Sequence, residues 1–275
     1  MDPLIACVGG GNMARALVVG SLRAGVMGPG SWLIAEPDPG KRGGFAAMGV
    51  HAVASARELS GLLQERTQIL LAVKPQALSI AAAEVGAAAV GRVVISILAG
   101  TPSTKVLAAL GGAASGCRVL RAMPNTPAMV GQGCTAVSLG AGARSGDEEL
   151  ALRVFGSVGP VVERIDEPLM DAFTAVAGSG PAYVFYLAQA MTRAAAEVGF
   201  DRDTADRVVR QVILGGAAML DSQRGSTAEE LRAAVTSKGG TTEAACAVLD
   251  ERAVMDAFVC AIAAARDRGR ELAGS

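Results

Sequence analysis

The chain has 275 residues, with 25 Lys and Arg against 26 Asp and Glu. That balance carries no signature of a nucleic-acid or anionic-membrane partner. It is 51% hydrophobic, yet glycines and charges break every apolar run before it reaches the ~20 residues of a membrane span. Met1 leads almost directly into an apolar strand, so no secretory signal is expected. The cysteines, Cys7, Cys117, Cys134, Cys246 and Cys260, are odd in number and contain no CxxC pair. They read as buried, reduced thiols rather than a disulfide framework or metal site. A soluble cytoplasmic protein with no metal is the expectation.

In chain order, Leu4–Val8, Trp32–Ala35, Gln68–Val73, Arg92–Ile97 and Arg118–Met123 read as strands, with Asn12–Ala24 and Gln76–Ala88 as helices between them. The G-V-H-A-V run around His51 reads as the third strand, and Cys134–Leu139 and Val158–Glu163 as further ones. Strand and helix in alternation predict a parallel sheet with helices on its faces. After about Val162 the pattern turns wholly helical, over Pro181–Val198, Asp203–Leu220 and Glu251–Leu272. Thr227 and Glu230 fit a capping box between them. The expectation is an α/β domain over 1–162 and an all-α domain over 163–275. The long helices of the second half are rich in alanine, which predicts burial between subunits.

The first strand–helix turn reads Val8, Gly9, Gly10, Gly11, Asn12, Met13, Ala14. Gly9-x-Gly11-x-x-Ala14 is a dinucleotide fingerprint. Gly9 permits the turn, Gly11 admits a pyrophosphate at the helix N-terminus, and Ala14 lets helix and strand pack closely. The second strand ends at Glu36, an acid placed to take ribose hydroxyls and favour NAD. Lys41 and Arg42 follow, and either can instead serve a 2′-phosphate and allow NADP. Val73, Lys74 and Pro75 close the fourth strand at the carboxyl edge of the sheet, where such domains bind ligands. Asn125 and Thr126 lie in M-P-N-T-P, which is either a rigid structural turn or a nicotinamide contact. The lone His51 reads as structural.

Between two helical stretches lies V-T-S-K-G-G-T-T, Val235–Thr242. Helical glycine costs roughly 1 kcal/mol relative to alanine, so Gly239-Gly240 mark a corner. Taken alone, its hydroxyls read either as helix caps or as anion ligands.

Taken in order, V-G-G-G-N-M-A, L-A-V-K-P-Q, R-A-M-P-N-T-P-A-M-V-G-Q-G, F-T-A-V-A-G-S-G-P-A-Y-V and V-T-S-K-G-G-T-T-E-A resemble the pyrroline-5-carboxylate reductases from end to end. The resemblance implies a Rossmann domain and a helical dimerisation domain. It implies reduction of 1-pyrroline-5-carboxylate to proline with NADP or NAD, in a homodimer or a higher assembly of dimers. It implies that Ser237, Gly239, Gly240 and Thr241 hold the substrate carboxylate, through the Ser237 hydroxyl and the Gly240 and Thr241 amides. Thr242 would reach the ring nitrogen as the catalytic contact, and the break at Ala177–Val184 would lie beside the substrate. Glu167 and Asp171, one helical turn apart, read as a charged face, with Glu167 a weaker candidate for the site.

Departures are specific. Many members carry proline at Lys238, asparagine near Ala56 and Ala234, and, where they prefer NADP, a small polar residue at Glu36. A different hydride transferase, such as a 3-hydroxyacid dehydrogenase, would place a lysine on a second-domain helix. Here Lys238 is the only lysine after Lys105, and it lies in the corner. A silent nucleotide sensor would have lost the corner's Ser and Thr residues, which are present.

Overall fold

The strands β1 (Ile5–Val8), β2 (Trp32–Ala35), β3 (His51–Val53), β4 (Gln68–Leu71), β5 (Val93–Ser96), β6 (Arg118–Pro124), β7 (Cys134–Leu139) and β8 (Val161–Arg164) form one sheet in the order 3-2-1-4-5-6-7-8. The coordinates are a computed structural model describing residues 3–274. β1 and β2 are four-residue apolar runs, and β4 and β5 each carry three consecutive apolar residues. Such runs fit strands covered on both faces. The first six strands are parallel and follow the doubly wound order. β7 then runs antiparallel to β6, and β8 parallel to β7. That reversal departs from a purely parallel sheet. Its cause is the short link between β6 and β7, a single 3₁₀ turn at Thr126–Val130, where a parallel return needs a crossover of a dozen or more residues.

Helices α1 (Asn12–Arg23), α2 (Pro39–Ala46), α3 (Ala56–Ser60), α4 (Leu78–Val85), α5 (Ser103–Ala109) and α6 (Glu149–Gly156) accompany the sheet. Alternate side chains of each strand enter opposite cores. Ile5, Cys7, Trp32 and Ile34 join Leu17 of α1, Phe45 of α2 and Phe155 of α6. Ala6, Val8, Leu33 and Ala35 join Leu59 of α3, Leu78 and Val85 of α4 and Val106 of α5. The fully buried Trp32 donates its indole N–H to Ser21 Oγ at 3.0 Å, so its one polar atom is satisfied.

Two compact units divide the chain. The first comprises the sheet, continuing to Ser179, together with the segment from Ala265; the second is Gly180–Ala264. The first unit also contains α7 (Met170–Phe173) and a π-helical turn at Thr174–Gly178. Its C-terminal segment packs close to it: a Cβ on Gly100 would stand 3.0 Å from Leu272 Cβ.

The second unit contains α8 (Gly180–Glu197), α9 (Arg202–Ser222), α10 (Ala228–Ala234), α11 (Thr241–Glu251) and the start of α12 (Val254–Gly274). The capping box is present: Thr227 Oγ1 accepts from Glu230 N at 3.1 Å, and Glu230 accepts from Thr227 N at 2.7 Å. Two expected helices differ in extent. The stretch 76–88 opens with a 3₁₀ turn at Pro75–Ala77, and its α-helix ends at Val85. The last helix begins at Val254, not at Glu251, because Ala253 takes φ +52° and breaks it from α11. In this unit Ala205 and Val209 of α9 are buried, while Phe185, Leu214, Met255 and Val259 are exposed.

Candidate active site

Gly9 opens the turn after β1 with φ +103°, a conformation that strains any side chain. Its N–H donates to Ala35 O at 2.9 Å, and a Cβ there would stand 2.7 Å from Ala72 O. The carboxyl ends of β1, β2 and β4 therefore converge on this one residue. Gly11 is the N-cap of α1, and nothing lies within 4 Å of where its Cβ would stand. Asn12 and Met13 form the first turn, and Ala14 is fully buried against the sheet. Open space over a helix N-terminus, reached by a side-chain-free backbone, fits the pyrophosphate of a dinucleotide.

Glu36 is buried beside this loop. Its Oε2 accepts from Gly10 N at 2.8 Å, and its Oε1 accepts from Asp38 N at 3.0 Å. Arg42 folds back, donating from Nη1 to the carbonyls of Glu36 at 2.8 Å and Pro37 at 2.6 Å. Asp38 caps α2 by accepting from Lys41 N, and that backbone bond is the main reason its carboxyl is held below the usual range. The buried Cys7 thiol is pushed up, first by desolvation and then by the charge of Glu36.

Val73 and the exposed Lys74 lie at the same carboxyl edge, with Pro75 opening the next turn. A Gly9 Cβ would stand 3.2 Å from Val73 Cγ1. Asn125, the residue after β6, is buried with its side chain bonded at both ends. Its Oδ1 accepts from Cys134 N at 2.9 Å, and its Nδ2 donates to Ala177 O at 3.0 Å. Ala177 belongs to the π-turn, a feature frequent at functional sites. Thr126 is exposed at the start of the 3₁₀ turn.

Glu167 and Asp171 do not form a solvated charged face. Ser103 donates both its N–H (2.7 Å) and its hydroxyl (2.5 Å) to the Glu167 carboxylate. The buried Arg121 of β6 reaches Glu167 at 3.4 Å and Asp171 at 3.7 Å. A buried guanidinium requires anionic company, and these two acids supply it. The sequence concealed this because the partners lie tens of residues apart.

In the second unit, Gly239 takes φ +73°, and Gly240 is the N-cap of α11. The Gly240 amide donates to Ser237 O at 3.0 Å, and the Gly239 amide to Glu243 Oε2 at 2.6 Å. The expected pair of free amides, Gly240 and Thr241, is thus reduced to Thr241, because the turn itself uses the first. Thr241 and Thr242 begin the helix, where N–H groups lack intrahelical partners. A Cβ on Gly240 would stand 2.5 Å from Ser237 Oγ, so only glycine leaves that hydroxyl in place. Ser237, Lys238 and Thr241 are exposed, and Thr242 is half-buried.

These two constructions have relatives. Residues 167–272 match the family described as pyrroline-5-carboxylate reductase dimerisation, and residues 4–100 match the family described as NADP oxidoreductase, coenzyme F420-dependent. A pyrroline-5-carboxylate reductase of Pseudomonas aeruginosa is 38% identical over 98% of this chain and 97% of its own. The chain belongs to the pyrroline-5-carboxylate reductase family. The solved pyrroline-5-carboxylate reductase of Coxiella burnetii is 32% identical, superposes with a TM-score of 0.88, and covers 99% of each chain. The Plasmodium falciparum pyrroline carboxylate reductase, solved with NADP bound, is 24% identical with a TM-score of 0.84 over 99% of each chain and shares the fold.

Family membership directs attention to chain-specific features. Ala56 is buried at the start of α3, and its N–H donates to Glu84 Oε2 at 3.1 Å. Arg15 lies just past the residues of the fingerprint. It lines a small cavity with Gly10, Gly11 and Lys41. Its position one helical turn past Gly11 was the available signal. All five cysteines are free, but only Cys7 and Cys117 are buried as expected; Cys134 and Cys246 are half-buried and Cys260 is exposed. Among the described residues no helix is long and apolar enough to cross a membrane.

Proposed function

We propose that this reductase-family chain reduces 1-pyrroline-5-carboxylate to L-proline with NADPH or NADH. The observation that carries the reading is 38% identity to such a reductase over 98% of the chain, combined with both constructions intact: an open glycine fingerprint after β1 and a hydroxyl-bearing corner before α11.

In this reading the backbone of Val8 through Ala14 receives the pyrophosphate. Val73, Lys74 and Pro75 line the carboxyl edge, Glu36 stands at the adenosine end, and Asn125 borders the nicotinamide end. The Ser237 hydroxyl and the Thr241 amide take the substrate carboxylate, on a corner shaped by Gly239 and Gly240. The positive end of the α11 dipole favours that anion. The Thr242 hydroxyl orients the ring nitrogen and exchanges a proton with water. The reduced nicotinamide, when bound, supplies a hydride to the C=N carbon. A protonated cyclic imine becomes a neutral amine on that addition, so the chain needs to supply no strong general acid, unlike a ketone reductase. His51, half-buried in β3, is left outside the chemistry.

The helical region from 163 onward acts as the dimerisation and substrate domain, and the 1–162 region as the nucleotide domain. The exposed apolar residues of α8, α9 and α12 support a homodimer or a higher assembly of dimers. A cytoplasmic location suits five unpaired thiols. The test is a reductase assay with the cyclic imine, following loss of reduced nicotinamide for each cofactor in turn. Turnover yielding proline is expected; no turnover with either cofactor would overturn the reading.

A further inference from the structure

We infer that Arg121 and Asp171 are positioning residues for hydride transfer. Their pairing sets where the π-turn stands, and through it Asn125 at the nicotinamide end. The inference rests on the reading of function above and adds two residues that touch neither cofactor nor substrate.

Arg121 lies in β6, four positions before Asn125. At about 3.3 Å per strand residue the two are about 13 Å apart. Arg121 is thus distant from the reacting atoms, yet it is buried in the sheet at 4% exposure. It shares a face of β6 with Met123, which packs with Ala136 of β7 and Met170 of α7. Methionine side chains adapt to several packings, so that apolar contact alone leaves the seating of α7 loosely specified. The charges remove this freedom. Glu167 precedes Met170 by three positions and Asp171 follows it. The guanidinium reaches both carboxylates, at 3.4 and 3.7 Å.

The two acids are held differently. Glu167 accepts the Ser103 N–H and hydroxyl, and the Ser103 hydroxyl in turn accepts from Ala141 N at 2.9 Å. Glu167 is therefore anchored without Arg121. Asp171 depends on the guanidinium. Its buried Oδ1 and the facing Arg121 Nη2 have no hydrogen-bond partner among the described residues, so what each offers the other is attraction across 3.7 Å. Replacing a buried ion pair by apolar groups is often neutral for stability, and the best-attested use of such a pair is to fix one packing register.

Asp171 is also the acid nearer the π-turn. α7 runs on from Phe173 into Thr174–Gly178 with no intervening loop. Thr174 Oγ1 donates to Met170 O at 2.7 Å, and Ser179 N to Thr174 O at 2.9 Å. A shift at Asp171 is therefore carried along the helix to Ala177, whose carbonyl holds the Asn125 amide. Hydride transfer needs the reacting atoms about 3–3.5 Å apart, and a remote change that misplaces them by about 1 Å can cost about 10²-fold.

Single-turnover kinetics of the full chain test this. Arg121→Gln would leave two acids unbalanced in a buried place, so Asp171→Asn is the variant of choice. It keeps the side-chain shape and leaves Arg121 paired with Glu167. Its urea midpoint is expected to stay close to that of the unaltered chain. The rate constant for loss of reduced-nicotinamide absorbance, at saturating cyclic imine, is expected to fall at least about fivefold. Calorimetric Kd values for NADPH and NADH should stay within about twofold, because the glycine loop is untouched. Unfolded protein lowers the amplitude of the reaction, not its rate constant. An unchanged rate constant, or a loss confined to amplitude, would overturn the inference alone and leave the cluster a structural one. Absence of turnover in the unaltered chain would overturn the functional reading along with it.

Discussion

The Asn125 amide joins the end of β6 to the π-turn by donating to the Ala177 carbonyl, 52 positions along the chain, at 3.0 Å. Its other end accepts the N–H of Cys134 at the start of β7. One side chain therefore closes the β6–β7 link and holds the turn that precedes α8. Asn125→Ala leaves a donor and an acceptor unpaired in a buried place. A loss of about 1–3 kcal/mol is expected, measured as a lower urea midpoint with an unchanged slope. A midpoint equal to that of the unaltered chain would show that water replaces the amide.

Gly10 has no room for a side chain. A Cβ would stand 2.8 Å from both Glu36 Cβ and Phe45 Cε2. Gly10→Ala should push Glu36 off the loop amide and overpack the site, costing about 1–3 kcal/mol. Dinucleotide affinity should fall with it. Thermal unfolding and calorimetric titration read the two effects separately. Unchanged values in both would mean the Glu36 contact is dispensable.

Thr242 begins α11 half-buried beside the corner glycines. Thr242→Ala is expected to lower kcat about ten- to hundredfold, the equivalent of one hydrogen bond to a charged partner. Cofactor affinity should stay within about twofold. Steady-state kinetics with both substrates varied separates the terms, and unaltered kcat would remove Thr242 from the chemistry.

Self-association should be strong. Phe185, Leu214 and Val259 are exposed on α8, α9 and α12, an arrangement costly in water. Sedimentation at micromolar concentration is expected to show a dimer or larger species. Val259→Glu should raise the dissociation constant at least about tenfold. A monomer for the unaltered chain would contradict the proposed assembly.

The cysteines should divide by exposure. Cys7 is buried, and burial with the nearby Glu36 charge pushes its thiol up. Desolvation, with a smaller contribution from Glu163, does the same at Cys134. The thiolate is the reactive form. Alkylation of the folded protein at pH 8 should therefore label Cys260 before Cys7 or Cys134. Peptide mass spectrometry gives the order, and early labelling of Cys7 would mean the β1 core opens readily.

Much was legible in the chain itself. The strands are short apolar runs, several ended by glycine, proline or a charge, and a run of that kind reports its own conformation. Gly9, Gly11 and Ala14 declare a turn and a close helix because their smallness is a local property. Ser237 through Thr242 likewise mark a corner. The departures arose where a distant partner decides. Nothing near Glu167 in sequence announces Ser103 or Arg121, and nothing near Arg15 announces Lys41.

By itself, then, the sequence determined the alternation of strand and helix, the position of the glycine loop and the presence of a glycine corner before α11. These depend on backbone preference and on the spacing of apolar residues within a few turns. Only the tertiary structure decided that β7 and β8 run against the first six strands, that Glu36 holds the loop, and that Asn125 latches a π-turn. Those outcomes depend on hydrogen bonds and packing between segments far apart in the chain, and residue spacing carries no record of such pairings.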